Sequence, residues 1–138
     1  MYPAELVAPM KKELTQVGFR ELLSPTDVEN VLNQKEGTVL VMVNSVCGCA
    51  ARNARPGVAK AVTDSGKKPD QLTTVFAGFD IAAVEKARTY FAPYPPSSPS
   101  IGLFKDGKLV HFIERHHIEG VPAEVIAQNL EAAFEEYC

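Results

Sequence analysis

The sequence predicts an α/β fold: a four-stranded mixed sheet between helices, with two extra helices at the N-terminus. Three observations support this fold class. Residues 38–45 form a continuously apolar, β-branched run, which suits a central strand buried on both faces. Helical and strand-like patterns alternate from residue 38 onward. Residues 101–113 read as two short strands joined by a tight turn.

Length and composition fit a single soluble domain. The chain has 138 residues, 46% of them hydrophobic, and a net charge of −3. Because no basic cluster is present, we expect no nucleic-acid binding, and because no run of 18 apolar residues occurs, we expect no membrane span. Three cysteines without a secretory leader predict a reducing, cytoplasmic location. There, a close cysteine pair is typical of catalysis or metal binding.

Residues 1–37 are predicted to be a helical extension, and residues 38–138 the core of the single domain. The first helix has an apolar stripe of Leu6, Met10, Leu14 and Val17 and stops near Gly18. In the second helix, Ser24 is the expected N-cap, Pro25 takes the first helical position, and Gly37 ends the segment.

The core elements follow in order after the first strand. A helix is predicted from Cys47 past Ala61, with a kink at Pro56, then a strand over 72–77 and a helix capped by Asp80. After the proline-rich loop 92–100, the hairpin turns at Asp106-Gly107 in a type I′ turn. The last helix carries an apolar stripe of Val125, Ile126, Leu130, Ala133 and Phe134. This order of elements is the outline of the thioredoxin fold.

Cys47 lies where the predicted central strand gives way to a helix. The free N–H groups and the positive dipole end of a helix N-terminus stabilise an anion, so a thiol there is more acidic than a free thiol. The thiolate is the species that attacks a disulfide sulfur. We therefore predict that Cys47 is a nucleophile and that Cys49 is the resolving thiol. Arg52 and Arg55 lie one and two turns further on, and we expect them to be solvated.

The Cys-Gly-Cys spacing restricts the chemistry. A disulfide between Cys47 and Cys49 closes a very small ring in which the preferred S–S geometry is hard to reach. Gly48 lowers the backbone cost because it has no Cβ. Such a disulfide is easily reduced, which favours isomerisation or removal of a small thiol over strong reduction of protein disulfides.

Two other interpretations of the cysteines remain open. Cys47 and Cys49 would also fit as small hydrophobic residues in a redox-inactive adaptor. A metal-binding module would combine them with His116, His117 or Cys138, but a second close cysteine pair is missing, so no metal is expected. Adjacent histidines usually diverge, and a solvated loop is the simpler interpretation of His116-His117.

Ser98-Pro99 directly precedes the predicted third core strand. A cis peptide bond at this position would turn the chain and expose the backbone of Ser98 beside the cysteines. A substrate backbone or a thiol could then pair with that edge. Ser98 and Pro99 are thus candidate substrate-binding residues, together with Gly48.

The segments "NSVCGCAARNARPG", "VFAGFD", "PPSSPS" and "HFIERHHIEG", with a terminal cysteine, resemble the bacilliredoxin family of bacterial proteins. The resemblance implies a thioredoxin-like fold and thiol–disulfide exchange. Family members remove bacillithiol, a small thiol of many Gram-positive bacteria, from S-bacillithiolated proteins, and some are weak disulfide isomerases. Bacillithiol would be the co-substrate, with no other cofactor; a monomer and a homodimer are both open.

Carried over to this chain, the resemblance makes Cys47 the nucleophile that receives the thiol and Cys49 the resolving cysteine. Ser98-Pro99 matches the cis-proline segment, and Cys138 is an auxiliary candidate. The strand 38–45 lacks the buried carboxylate of ordinary thioredoxins, so the proton acceptor for Cys49 is not identified. A disulfide isomerase of the same fold is the alternative enzyme.

Overall fold

The computed structural model describes residues 1–138. The chain forms five α-helices: α1 (Ala4–Thr15), α2 (Pro25–Leu32), α3 (Arg55–Asp64), α4 (Ile81–Thr89) and α5 (Ala123–Tyr137). It forms five strands: β1 (Arg20–Glu21), β2 (Thr38–Asn44), β3 (Gln71–Phe76), β4 (Ser100–Lys105) and β5 (Lys108–Ile113). The predicted α/β class is confirmed. None of the helices is both long and apolar enough to cross a lipid bilayer.

The five strands form one mixed sheet in the order β1-β3-β2-β4-β5. β2 pairs with β3 in parallel and with β4 antiparallel, and β4 and β5 form the predicted hairpin. The predicted strand number of four was wrong, because β1 adds a fifth strand parallel to β3. The N-terminal 37 residues are therefore not purely helical. Two residues are too few to show the alternating pattern that identifies a strand in a sequence.

All seven residues of β2 are buried, as its apolar run predicts. Leu40 and Met42 belong to the hydrophobic cluster that includes α3 and α5 residues. Val39, Val41 and Val43 belong to the cluster with α2 and α4 residues on the other face. Because successive strand residues point to opposite faces, one strand contributes to both layers.

Two helical stripes are shifted from their predicted positions. In α1 the buried residues are Val7 and Leu14, while Leu6 is 43% exposed. In α5 Ala127 is buried and Val125 is 48% exposed. Successive residues on a helix are rotated by about 100°. A wide apolar stripe therefore does not show which of its residues face the core.

The cap predictions differ in outcome. Ser24 is the N-cap of α2, and its Oγ accepts the Asp27 N–H at 3.1 Å. Asp80 is the N-cap residue of α4 but makes no side-chain cap; its carboxylate pairs with Lys11 Nζ at 3.1 Å instead. The ion pair takes the carboxylate away from the helix N–H groups.

The peptide bond before Pro99 and the turn of the hairpin have the conformations that the sequence predicts. The Ser98–Pro99 bond is cis, as expected, and so is Ala92–Pro93, which was not predicted. Asp106 and Gly107 have φ values of 52° and 81°, which are the positive values that a type I′ turn requires.

Candidate active site

The two close cysteines lie between the end of β2 and α3. β2 ends at Asn44, helical structure starts at Gly48, and the Cys47 carbonyl accepts the N–H groups of Ala50 and Ala51, both at 3.1 Å. The predicted position of Cys47 at a helix start is confirmed. A π-helical segment, Ala50–Ala54, connects this start to α3.

Pro56 explains the change in helix type. The Arg55 N–H bonds the Ala50 carbonyl, which widens the turn just before the proline, and Pro56 occupies the first turn of α3. Proline has no N–H and is best accommodated in a first helical turn. A π-helical segment therefore takes the place of the predicted kink. Widened turns of this kind are frequent at functional sites.

Hydrogen bonds surround the Cys47 sulfur. Ser45 Oγ lies 3.1 Å from Cys47 Sγ. Burial raises the pKa of Cys47, but hydrogen bonds from Cys49, Ser45 and the Ala50 N–H, together with the Arg115 charge, outweigh it and lower the pKa below the ordinary value. These donors stabilise the thiolate directly.

The pKa of Cys49 is shifted in the opposite direction. Burial raises the pKa of Cys49, and both the hydrogen bond it donates to Cys47 and the negative charge of that thiolate raise it further. Both cysteines are free and half-buried, and Cys49 also packs against the hydrophobic core. Cys47 is thus the more acidic of the two thiols and Cys49 the less acidic. A nucleophile and a resolving thiol need this difference.

A buried arginine lies beneath the cysteines. Arg55 is only 2% exposed, and its Nη1 donates to Asn44 Oδ1 at 3.0 Å and to the Ser45 carbonyl at 2.8 Å. Its Nε lies 3.1 Å from Glu13 Oε2, an ion pair rather than an aligned hydrogen bond. Asn44 Oδ1 also accepts the Ser45 N–H at 2.9 Å.

The prediction of a solvated Arg55 was therefore wrong. Asn44 and the Ser45 carbonyl need a donor inside the fold, and α3 supplies one. Arg55 thereby fixes the residue whose hydroxyl contacts Cys47.

The other predicted arginine lies over Gly48. A Cβ placed on Gly48 would come within 2.5 Å of Arg52 Nη2. Gly48 does not have a positive φ, so the structure does not use the conformational freedom of this glycine. Its missing side chain leaves room for the Arg52 guanidinium instead.

Ser98, which lies just before β4, belongs to the same site. It lines a cavity of about 320 Å³ together with Cys47, Ser45, Arg88 and Arg115. The Ser98 carbonyl accepts a hydrogen bond from Arg115 Nη1 at 3.2 Å. Pro99 is buried next to Ser98. Gly48 is not among the residues that line this cavity.

Ser45, Arg88 and Arg115 were missed by the sequence analysis. The hairpin provided one usable signal, because β5 runs antiparallel to β4 and Ile113 is paired with Ile101. A residue just after β5 must then lie near the one just before β4, which places Arg115 near Ser98. Arg88 is on α4, and the sequence pattern contains no comparable signal for it.

Cys138 lies at the other end of the sheet. The surroundings of its sulfur include Thr38, the first residue of β2, whereas Cys47 follows the last residue of that strand. Burial raises the pKa of Cys138, and the charge of Asp70 adds to the effect.

The two adjacent histidines do not diverge as predicted. The rings of His116 and His117 lie 4.0 Å apart between centroids, in an exposed turn after β5. Together with Glu114 they form a group whose ligand atoms lie within 4.8 Å of one another. This group contains none of the cysteines that the metal-binding interpretation combined with the histidines.

Comparison with known proteins identifies the family. A family model described as "Disulphide isomerase" matches residues 2–138. The chain is 58% identical to a bacilliredoxin of Cytophaga hutchinsonii, with 99% of each chain covered. It is 53% identical to a bacilliredoxin of Geobacillus kaustophilus, with 99% of this chain and 94% of that one covered.

Solved structures agree with the fold. Mitochondrial thioredoxin 3 of Saccharomyces cerevisiae matches with a TM-score of 0.58 at 16% identity, over 90% of this chain and 98% of that one. Schistosoma mansoni thioredoxin matches with a TM-score of 0.58 at 20% identity, over 88% and 97%. The predicted thioredoxin-like fold is confirmed. With the relatives above, this fold supports a redox function, and the chain belongs to the bacilliredoxin family.

Proposed function

We propose that this protein is a thiol–disulfide oxidoreductase that removes bacillithiol from S-bacillithiolated proteins in the cytoplasm. The main support is the opposite shift of two adjacent thiols: the pKa of Cys47 is lowered and that of Cys49 is raised, beside an open cavity. The names of the relatives are consistent with this chemistry.

In the first step, the Cys47 thiolate attacks the bacillithiol sulfur of a protein–S–S–bacillithiol bond. A bond forms between Cys47 Sγ and bacillithiol, the old S–S bond breaks, and the electron pair leaves with the protein thiolate. The target protein recovers its thiol after taking a proton from solvent. One disulfide replaces another, so this step needs no external reductant.

Two routes regenerate the enzyme. In the first, the Cys49 thiol loses its proton to solvent and attacks Cys47 Sγ; the bond to bacillithiol breaks, bacillithiol leaves as a thiolate, and the Cys47–Cys49 disulfide forms. Two molecules of bacillithiol then reduce that disulfide and leave as oxidised bacillithiol. In the second, free bacillithiol attacks the bacillithiol sulfur on Cys47, and oxidised bacillithiol leaves. Both routes use only the protein's own cysteines and bacillithiol as co-substrate.

A protein disulfide isomerase is the second candidate, favoured by the description of the matching family model. β2 contains no carboxylate, and the buried charge beneath the cysteines is the cation Arg55. Without a buried proton acceptor, Cys49 is poorly equipped for rapid reduction of protein disulfides. This difference favours transfer of a small thiol.

The test compares one enzyme preparation on an S-bacillithiolated protein and on insulin, at equal thiol concentration and pH. We expect faster release of bacillithiol than reduction of insulin. Cys47→Ala is expected to abolish release, whereas Cys49→Ala keeps the first step and accumulates the adduct on Cys47. Faster insulin reduction would identify a general oxidoreductase, and adducts mainly on Cys49 would reverse the two roles.

A further inference from the structure

Two arginines share the cavity in which Cys47 lies. Arg88 comes from α4, and Arg115 from the turn after β5. No aspartate or glutamate lines the cavity. At about 320 Å³, it falls at the lower end of the range for small-molecule sites. The cavity therefore combines a nucleophilic sulfur with an excess of positive charge.

Arg88 is only partly neutralised by the protein. Its Nε is buried and has no hydrogen-bond partner. Burial lowers the pKa of Arg88, and the charge of Glu85 on the same helix opposes the effect. A buried guanidinium N–H without a partner is unfavourable unless a ligand supplies an acceptor.

Arg115 is oriented by its neighbours and keeps free donors. Its Nε is paired with Glu119, and its Nη1 donates to the Ser98 carbonyl at 3.2 Å. A guanidinium has five N–H donors, so these two contacts leave three. The anchored side chain therefore still has donors for a ligand in the cavity.

We propose that Arg88 and Arg115 form an anion subsite that binds a carboxylate of the small thiol being transferred to Cys47. This inference rests on the proposed function and adds the chemical class of thiol. Guanidinium groups match the geometry of carboxylates. The thiol sulfur bonds Cys47 Sγ, while the carboxylate occupies the cavity beside it.

The charges in the cavity change during transfer in a way that suits this role. Before attack, the negative charge on Cys47 offsets part of the positive charge of Arg115. Once the thiol is bonded to Cys47, the negative charge has left with the target protein. Both guanidiniums then face the ligand carboxylate, so the subsite holds the mixed disulfide most strongly.

The experiment varies the charge of the transferred thiol on one carrier protein with a single modified cysteine. The carrier bears 3-mercaptopropionate, 2-mercaptoethanol or cysteamine, which are anionic, neutral and cationic at pH 7. Transfer to Cys47 is followed by intact mass in the Cys49→Ala background. We expect the anionic thiol to transfer about ten-fold faster than the neutral one, as for one charge-assisted hydrogen bond, and the cationic thiol to be slowest.

Arg88→Gln is the decisive variant, since Arg88 is not among the groups that shift the pKa of Cys47. It should abolish most of the anion preference, measured as the ratio of the transfer rate of the anionic thiol to that of the neutral thiol. Arg20→Gln, on the exposed strand β1, is the control and should keep the preference. Rates are compared per thiolate, measured by ultraviolet absorbance in each variant. Should Arg88→Gln fail to fold, competition by succinate against transfer to the unmodified cavity tests the same subsite.

Equal rates for the three thiols, or an anion preference that survives Arg88→Gln, would overturn the subsite. No competition by succinate would do the same. Two further outcomes distinguish a failure of the subsite from a failure of the proposed function. If the carboxylate thiol is preferred through Arg88 but bacillithiol is not transferred, the subsite stands and the identity of the natural thiol is wrong. If bacillithiol is transferred but the rate does not depend on the charge of the transferred thiol, the proposed function stands and the anion subsite is wrong.

Discussion

At the scale of single residues, the reactivity of Cys47 depends on groups that sequence motifs do not reveal. The Ser45 hydroxyl lies 3.1 Å from Cys47 Sγ. It is held by a chain of contacts through its own backbone to Asn44 and Arg55. The Cys-Gly-Cys motif supplies the two sulfurs, and the residues before and after it adjust their proton affinity.

We expect Ser45→Ala to slow alkylation of Cys47 near neutral pH by about five-fold, the effect of losing roughly 1 kcal/mol of hydrogen bonding to a charged group at a half-buried site. Removing a donor to the thiolate raises the pKa of Cys47, so less thiolate exists at pH 7. The rate of reaction with iodoacetamide, measured from pH 5 to 10, should inflect below the ordinary thiol value of about 8.5 in the unmodified protein. In the variant the inflection moves to higher pH.

Ser65→Ala is a matched control, because the Ser65 hydroxyl bonds the Lys67 carbonyl after α3, away from the cysteines. Its profile should match that of the unmodified protein. An unchanged profile in Ser45→Ala would show that the hydroxyl does not stabilise the thiolate.

Arg55 provides a second prediction at this scale. In Arg55→Leu, Asn44 Oδ1 and the Ser45 carbonyl each lose a buried donor, so we expect the free energy of unfolding to fall by about 2–4 kcal/mol. Urea unfolding of the reduced protein measures it. Glu13→Gln removes the charged partner of Arg55 from a side chain that is 44% exposed, and should cost less than about 1 kcal/mol. Equal losses in the two variants would show that the ion pair, and not the backbone and amide contacts, gives Arg55 its structural role.

At the scale of secondary-structure elements, the sequence identified those whose pattern is long or chemically marked. β2 is apolar throughout, and the β4–β5 turn has the Asp-Gly pair. β1 was missed because two residues are too few to show a strand pattern, and only their pairing with β3 identifies them as a strand. The same reasoning applies to the site: the sequence located Cys47 at a helix start, but the contacts of Arg55 and Arg88 depend on tertiary packing.

The contact between α3 and α5 depends on one glycine. A Cβ on Gly57 would lie 2.8 Å from Ile126 Cγ2 and 3.0 Å from the Ala123 carbonyl oxygen. Since the backbone at Ala123 cannot move alone, Gly57→Ala must push the two helices apart. Overpacking costs about 1–3 kcal/mol, and the better helix propensity of alanine returns up to about 1 kcal/mol.

We therefore expect Gly57→Ala to lower the free energy of unfolding by about 1–2 kcal/mol in a urea titration. Gly66→Ala is the matched control, because a Cβ there meets no atom within 4 Å and its φ is not positive. It should leave stability unchanged or slightly higher. A neutral Gly57→Ala would mean that α5 adjusts freely against α3.

At the scale of the whole molecule, the sheet separates the third cysteine from the other two. Cys138 ends the chain near Thr38, at the start of β2, and Cys47 follows the end of that strand. A strand of seven residues spans about 20 Å. A disulfide requires the two sulfurs to approach to about 2 Å, so Cys138 is unable to resolve an adduct on Cys47 in the same folded molecule.

We expect Cys138→Ala to transfer a small thiol to Cys47, and to release it again, within two-fold of the unmodified rate. Cys49→Ala should instead prolong the Cys47 adduct by at least ten-fold when free thiol is scarce, because the neighbouring resolving thiol is gone. Intact-mass time courses measure both. An internal Cys47–Cys138 disulfide, found by peptide mapping of a monomer oxidised at high dilution, would contradict this separation and require α5 to leave the sheet. A Cys138 disulfide seen only at high protein concentration would instead join two molecules, which leaves the separation within one chain intact.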